Sequence, residues 1–82
     1  MENINFTDDK VKNFYKLISK NVVKFRKQSG MSQLKLANAI GHQNATFLGK
    51  AELLAEDKHF NLEHLYKISS ILGIDVSEFL KN

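Results

Sequence analysis

Three groups of side chains in this chain have types and spacing that could do chemistry. Ser32 and Gln33 stand together ahead of the apolar positions Leu36, Ala37 and Ile40, and Asn44 stands ahead of Leu48 and Ala51. A serine or asparagine in such a place accepts hydrogen bonds from the N–H groups that a helix start leaves unpaired. The second group is the three histidines, His42, His59 and His64. They lack the i, i+4 spacing of a helical metal pair, and no acid completes a ligand set, so surface imidazoles and no metal are expected. The third is a run of lysines in the first third of the chain. With no cysteine, a nucleophile would have to be serine, lysine or a carboxylate. No Ser/His/acid set and no glycine-rich phosphate loop stands out. The expected protein is not an enzyme and carries no cofactor. What remains is recognition by hydrogen bonds and charge.

Five helices and no strand should position these groups. Thr7 caps the first, with Asp8 and Asp9 in the opening turn where the helix dipole favours anions. Phe6 and Val11 have the spacing of a hydrophobic staple. Val11, Phe14, Ile18, Val22 and Phe25 then recur at helical intervals with lysines between them. The pattern stops at Ser29-Gly30, which makes this helix unusually long, with a break expected near Asn21. Ser32 caps a second helix, Gly41 supplies the left-handed turn that ends it, and Asn44 caps a third. Small Ala37 leaves room for close helix approach. Asn61 caps a fourth helix carrying Leu62, Leu65, Ile68, Ile71 and Leu72, closed by Gly73. Asp75 and Glu78 begin a short fifth with capping-box-like spacing, holding Val76, Phe79 and Leu80. The irregular stretch is about 53–60. Helix, glycine turn, helix over 31–52 is the skeleton of a DNA-reading unit.

Composition bounds the reading. Eighty-two residues make one small domain, with no room for a separate sensor or catalytic domain. The absence of cysteine suits a reducing cytoplasm. No apolar run approaches the ~18 residues of a membrane span, and the opening MENINFTDDK lacks the basic-then-apolar pattern of a secretion signal. The net charge of +3 suits a nucleic-acid partner without demanding one. Residues 1–30 hold seven bases against three acids, whereas 31–82 hold five against six. The basic excess therefore lies on the first helix and not on the third. That lysine stripe also fits a helix lying on a membrane surface, but its apolar face matches a core-facing helix equally well.

The order FRKQSGMSQLKLANAIG, NATFLGKAE, FNLEHLYKISSILGIDVSEFL resembles the five-helix DNA-binding domain of phage Cro and repressor proteins. That group also includes the controller proteins of restriction–modification systems and many antitoxins. The resemblance spans roughly residues 20–80 and rests on Arg26, Gly30, Ser32, Gln33, Leu36, Ala37, Gly41 and Glu52, with the tail from Ile68 to Leu80. It implies an all-α, lambda-repressor-like domain over 1–82 with a long N-terminal helix. Its parts are an N-terminal arm at 1–6, the helix-turn-helix at 32–52 and the C-terminal helices at 61–80.

The resemblance also implies roles. The third helix would lie in the major groove, with Ala45, Thr46 and Lys50 facing base edges. Ser32 and Gln33 would hold the phosphate backbone, with Gln33 also in reach of a base. Gln43, Asn44, Lys58 and His59 would complete the phosphate contacts, while Glu56 and Asp57 turn away. Arg26 and Glu52 would form a partly buried ion pair between the first and third helices, with phosphate contact the rival role for Arg26. Thr46 can donate or accept, and Lys50 can donate to guanine acceptors. None of these is a bidentate arginine, asparagine or glutamine, so modest discrimination per subunit is expected.

A domain reading three or four base edges needs a partner copy to find its site. The expected function is sequence-specific binding of double-stranded DNA by a homodimer, regulating transcription as a repressor at a pseudo-palindromic operator. The expected dimer surface is the last helix, with Val76, Phe79 and Leu80, with the long N-terminal helix as a further candidate part of it. A different class competes: an interaction module whose helix-turn-helix face binds another protein, such as a toxin. Phe47, Leu48, Gly49 and the acidic Glu56-Asp57 favour it. Phe47 itself is expected at the core or rim, with a wedge against a base as the alternative.

Overall fold

Thr7 sets the first boundary: its Oγ1 accepts from the Lys10 N–H at 3.2 Å, and α1 (Asp8–Gln28) starts there. The computed structural model describes residues 7–82, so the expected arm at 1–6 and the staple partner Phe6 lie outside the described residues. After α1 come α2 (Gln33–Ala39), α3 (Thr46–Leu53), a 3₁₀ turn (Ala55–Asp57), α4 (Leu62–Leu72) and a second 3₁₀ turn (Val76–Leu80). The described residues form an all-α unit of four α-helices, with no strand. The expected fifth helix is present only as 3₁₀. Its start is not a capping box: Asp75 accepts from the Ser77 N–H at 2.8 Å, while Glu78 pairs with Lys81.

α1 runs through Asn21 without the expected break. Asn21 is buried, and its Nδ2 donates to the carbonyls of Phe79 at 2.8 Å and Lys81 at 2.7 Å. An asparagine disfavours helix by bonding to its own backbone. Here the C-terminal tail occupies it instead, and the same bonds fasten that tail to α1.

The core is Ile18 and Val22 of α1, Leu36, Ala37 and Ile40, Leu48 and Ala51 of α3, Phe60, Leu65 and Ile68 of α4, and Phe79. α1 reaches past it: Ile18 is its first buried residue, while Val11 is 44% and Phe14 50% exposed. The expected inward stripe on α1 therefore holds only from its middle onward. In α4, Leu62 at 84% and Ile71 at 44% also point out. Phe79 is fully buried, which removes it from the expected dimer surface; Val76 and Leu80 remain outside. Phe60, in the stretch read as irregular, proves to be core because α4 and α3 close over it.

Between α2 and α3 the chain turns at Gly41, whose φ of +98° lies where an L side chain is strained. The N–H groups of Gly41 and His42 close the end of α2 by bonding to Asn38 and Ala37 carbonyls.

Candidate nucleic-acid interface

Arg26 near the end of α1, Gln33 at the start of α2 and Glu52 near the end of α3 meet in one network. Arg26 Nε lies 2.7 Å from Glu52 Oε2, and its Nη2 donates to Oε1 at 3.1 Å, a two-pronged pair. Arg26 Nη1 donates to the Met31 carbonyl at 2.9 Å. Gln33 Nε2 donates to Glu52 Oε1 at 2.8 Å. The Arg26 and Glu52 side chains are only 9% and 4% exposed. The expected pair is present, and Arg26 is held in it. Phosphate contact would require Arg26 to leave a carboxylate and a carbonyl. Three helix ends are fixed against one another by three hydrogen bonds, and a fourth holds the loop before α2.

The network also fixes Gln33. Its amide lies over Gly49 of α3, where an added Cβ would meet Gln33 Oε1 at 3.5 Å. That is ordinary contact, and Gly49 sits inside a helix, where glycine costs about 1 kcal/mol relative to alanine. Gly49→Ala is therefore expected to raise the thermal midpoint, corresponding to about 0.5–1 kcal/mol. A fall in midpoint would mean that the Gln33 amide needs the open face of α3.

Ser32 caps its helix as expected, whereas Asn44 does not cap α3. Ser32 Oγ accepts from the Lys35 N–H at 3.0 Å as the N-cap of α2. Asn44 stands one residue outside the N-cap of α3, which is Ala45, and its Oδ1 accepts from the Thr46 N–H at 3.0 Å. Ser32, Gln43, Asn44 and Thr46 are exposed, with Gln33, Ala45 and Lys50 half-buried.

Beyond α3 the backbone is strained. Leu54, Glu56 and Asp57 take positive φ angles of 55°, 54° and 57°, unusual for residues other than glycine. The tight turn carries Glu56 back onto Lys50, and the two side chains form an ion pair. The expectation that Glu56 turns away is thus corrected, and Lys50 faces a carboxylate as well as any ligand. Lys50 holds the exposed Glu56 carboxyl below its ordinary range. The sequence gives no glycine to announce this turn, which is why the pairing was not foreseen.

Phe47 packs as a rim residue. His42 stacks on it at 5.3 Å between ring centroids, His64 lies 4.5 Å away, and Phe60 meets it edge-on at 6.2 Å. His42 and His64 thus leave the expected surface role to cover the Phe47 ring. His64 also closes the capping box of α4, where its Nδ1 accepts from the Asn61 N–H at 3.0 Å and Asn61 Oδ1 accepts from the His64 N–H. Burial, followed by the nearby His42, pushes the His64 pKa below 6.5; Glu63 opposes the shift. A histidine whose folded pKa is depressed resists the protonation that the unfolded chain accepts. Its contribution to stability is complete above about 6.5 and is lost as pH falls from there through the folded value. The thermal midpoint is expected to drop between pH 7.5 and 5.5, and His64→Gln should flatten that dependence. An equal slope in the variant would assign it elsewhere.

Among the described residues no group of three or more His, Cys, Asp or Glu side chains is placed to hold a metal ion. Comparison with protein-family models, with curated proteins and with solved structures gives no match. The residues and their geometry therefore carry the functional reading.

The last expected contacts, Lys58 and His59, flank the strained turn and are exposed. His59 stacks on Tyr15 of α1 at 4.1 Å. That stacking ties the segment after α3 to the N-terminal half of α1. Leu53, where the irregular stretch was expected to begin, is instead the last residue of α3 and is 81% exposed.

Proposed function

We propose that this chain binds double-stranded DNA sequence-specifically, as a helix-turn-helix regulator of the Cro and repressor type, in the form of a homodimer that represses transcription from a pseudo-palindromic operator. The observation that carries the reading is the Arg26–Glu52–Gln33 network. It holds the start of α2 beside α3, leaving Ser32, Asn44 and Thr46 in the open around it. In that reading α3 enters the major groove. Ala45, Thr46 and Lys50 meet base edges, and Ser32, Gln43, Asn44 and Lys58 meet phosphate. Gln33 reaches DNA while keeping its bond to Glu52, because Oε1 of its amide has no partner within the network. His59 contributes from its stack on Tyr15. The repressor-like fold is part of the proposal: a four-helix frame whose fifth element is a 3₁₀ turn.

A dimer would be built on Val76 and Leu80, with Ile71 of α4 as an exposed apolar residue of the same C-terminal region. Selection of bound sites from a random duplex pool tests site, spacing and symmetry together. Two related half-sites about one helical turn apart support the reading. A pool that never enriches overturns it.

The Lys50–Glu56 pair favours a second reading, in which the face is partly neutralised and receives a protein such as a toxin. Glu56→Gln separates the two. On the DNA reading it frees Lys50, so affinity for duplex rises about 3- to 10-fold at low salt and the salt dependence steepens by about one ion. Unchanged duplex binding would favour the protein partner.

A further inference from the structure

The first two-thirds of α1 carries lysines that the proposed reading face does not use. Lys12, Lys16 and Lys20 recur every four residues, so they share one side of the helix, and all three are exposed. Among the described residues, the ion pairs are those of Arg26, Lys50, Lys67 and Lys81, and none involves these three lysines. Their side of α1 is not open convex surface. Lys12, Lys16 and Lys20 line a groove whose other wall is Glu52, Leu53 and Leu54, at the end of α3. A neighbouring groove continues from Lys12 to Lys58 and His59, with Asp8 and Asp57 also on its wall.

Two facts connect this row to the proposed interface. Glu52 belongs both to the groove and to the network that holds Gln33, so the lysines begin where the anchoring end of α2 and α3 stops. The carboxylate of Glu52 is already bonded by Arg26 and Gln33, so it leaves the lysine charges largely uncompensated. Uncompensated like charges in a row repel one another, and an anionic partner relieves that repulsion. At 1.5 Å rise per residue the row is about 12 Å long, comparable to three or four nucleotides of one strand at about 3.4 Å each.

We infer that Lys12, Lys16 and Lys20 form a second phosphate-binding strip, which lays α1 along the duplex backbone next to the half-site that α3 reads. The inference rests on the DNA-binding reading. It extends that reading by placing phosphate contacts along α1, from the part that overhangs the core at Lys12 and Lys16 to Lys20 beside Ile18. The strip reads no bases. It adds affinity to strong and weak sites alike, leaves their ratio unchanged, and lengthens the protected footprint beyond the recognition bases.

The test compares the full chain with the triple variant Lys12→Gln, Lys16→Gln, Lys20→Gln on two probes: a 30-base-pair random-sequence duplex and a site selected from the random pool. Lys67→Gln, on α4 and paired with Glu63, serves as the control. Circular dichroism melting establishes that the triple variant folds. The slope of log affinity against log salt is expected to shrink by about 2–3 in the triple variant, from about 0.9 per lost phosphate contact, and to stay unchanged in the control. Affinity for both probes should fall together, leaving their ratio within about 2-fold. An unchanged slope in a folded triple variant overturns the strip while leaving the DNA reading in place. A wild-type chain that binds neither duplex overturns both. Binding of the wild-type chain to vesicles of anionic lipid, with none to duplex, would reassign the row to a membrane surface and likewise overturn the strip.

Discussion

Glu52→Ala is expected to lower the thermal midpoint by well over 10 °C. The substitution leaves the Arg26 guanidinium in a site where its side chain is 9% exposed, with only the Met31 carbonyl still bonded to it. It also removes the acceptor that holds Gln33. Stranding one partner of a buried pair costs about 3–5 kcal/mol. In a domain this small each kcal/mol moves the midpoint by about 4–8 °C, and total stability is on the order of 5–15 kcal/mol. The double variant Arg26→Met, Glu52→Leu should recover most of the loss, since a well-packed apolar pair avoids the desolvation that the ions suffer. It should not recover DNA affinity, because Gln33 no longer has its partner. A single variant that melts like the wild type would contradict the network, and with it the placement of α3 against α2.

Phe79→Ala is expected to be comparably damaging, at about 3–5 kcal/mol. Phe79 is fully buried, and its ring meets Phe25 of α1 edge-on at 6.1 Å. Its carbonyl also accepts from buried Asn21. Truncation opens a cavity at the join between α1 and the C-terminal turn, and loosening that turn would leave the Asn21 amide without its partners. Denaturant unfolding should show a lower midpoint, with the oligomeric state of the remaining folded fraction unchanged. Val76→Ser or Leu80→Ser should do the reverse and weaken self-association with little loss of stability. If Phe79→Ala cost less than 1 kcal/mol, the tail would be an appendage to the domain and not part of its core.

Those two sites mark what the sequence could disclose. Helix starts were legible because their signals are local: Thr7, Ser32 and Asn61 each accept from the N–H three residues on. The core positions of α2 and α3 were legible for the same reason, through spacing. The Arg26–Glu52 pair lies 26 residues apart and became visible only through resemblance to a family in which those positions pair. Periodicity alone misplaced Val11, Phe14 and Leu62. A helical stripe reveals which face is apolar and not how far the neighbouring elements extend along it. The 3₁₀ form of the last element, and the left-handed residues at Leu54, Glu56 and Asp57, carry no composition signal. They arise from how α3 and the tail must join a core set elsewhere. The same strained turn delivers Glu56 to Lys50, so the least legible backbone in the chain also decides which charge faces Lys50 of α3.

The role proposed for this surface is the reading of DNA sequence. Its most direct test is the ratio of affinities for a pool-selected duplex and a random duplex of equal length, measured at one physiological salt concentration. Sequence-specific binding by a dimer predicts a ratio of about 10³ or more. Equal affinities for the two duplexes would contradict that role.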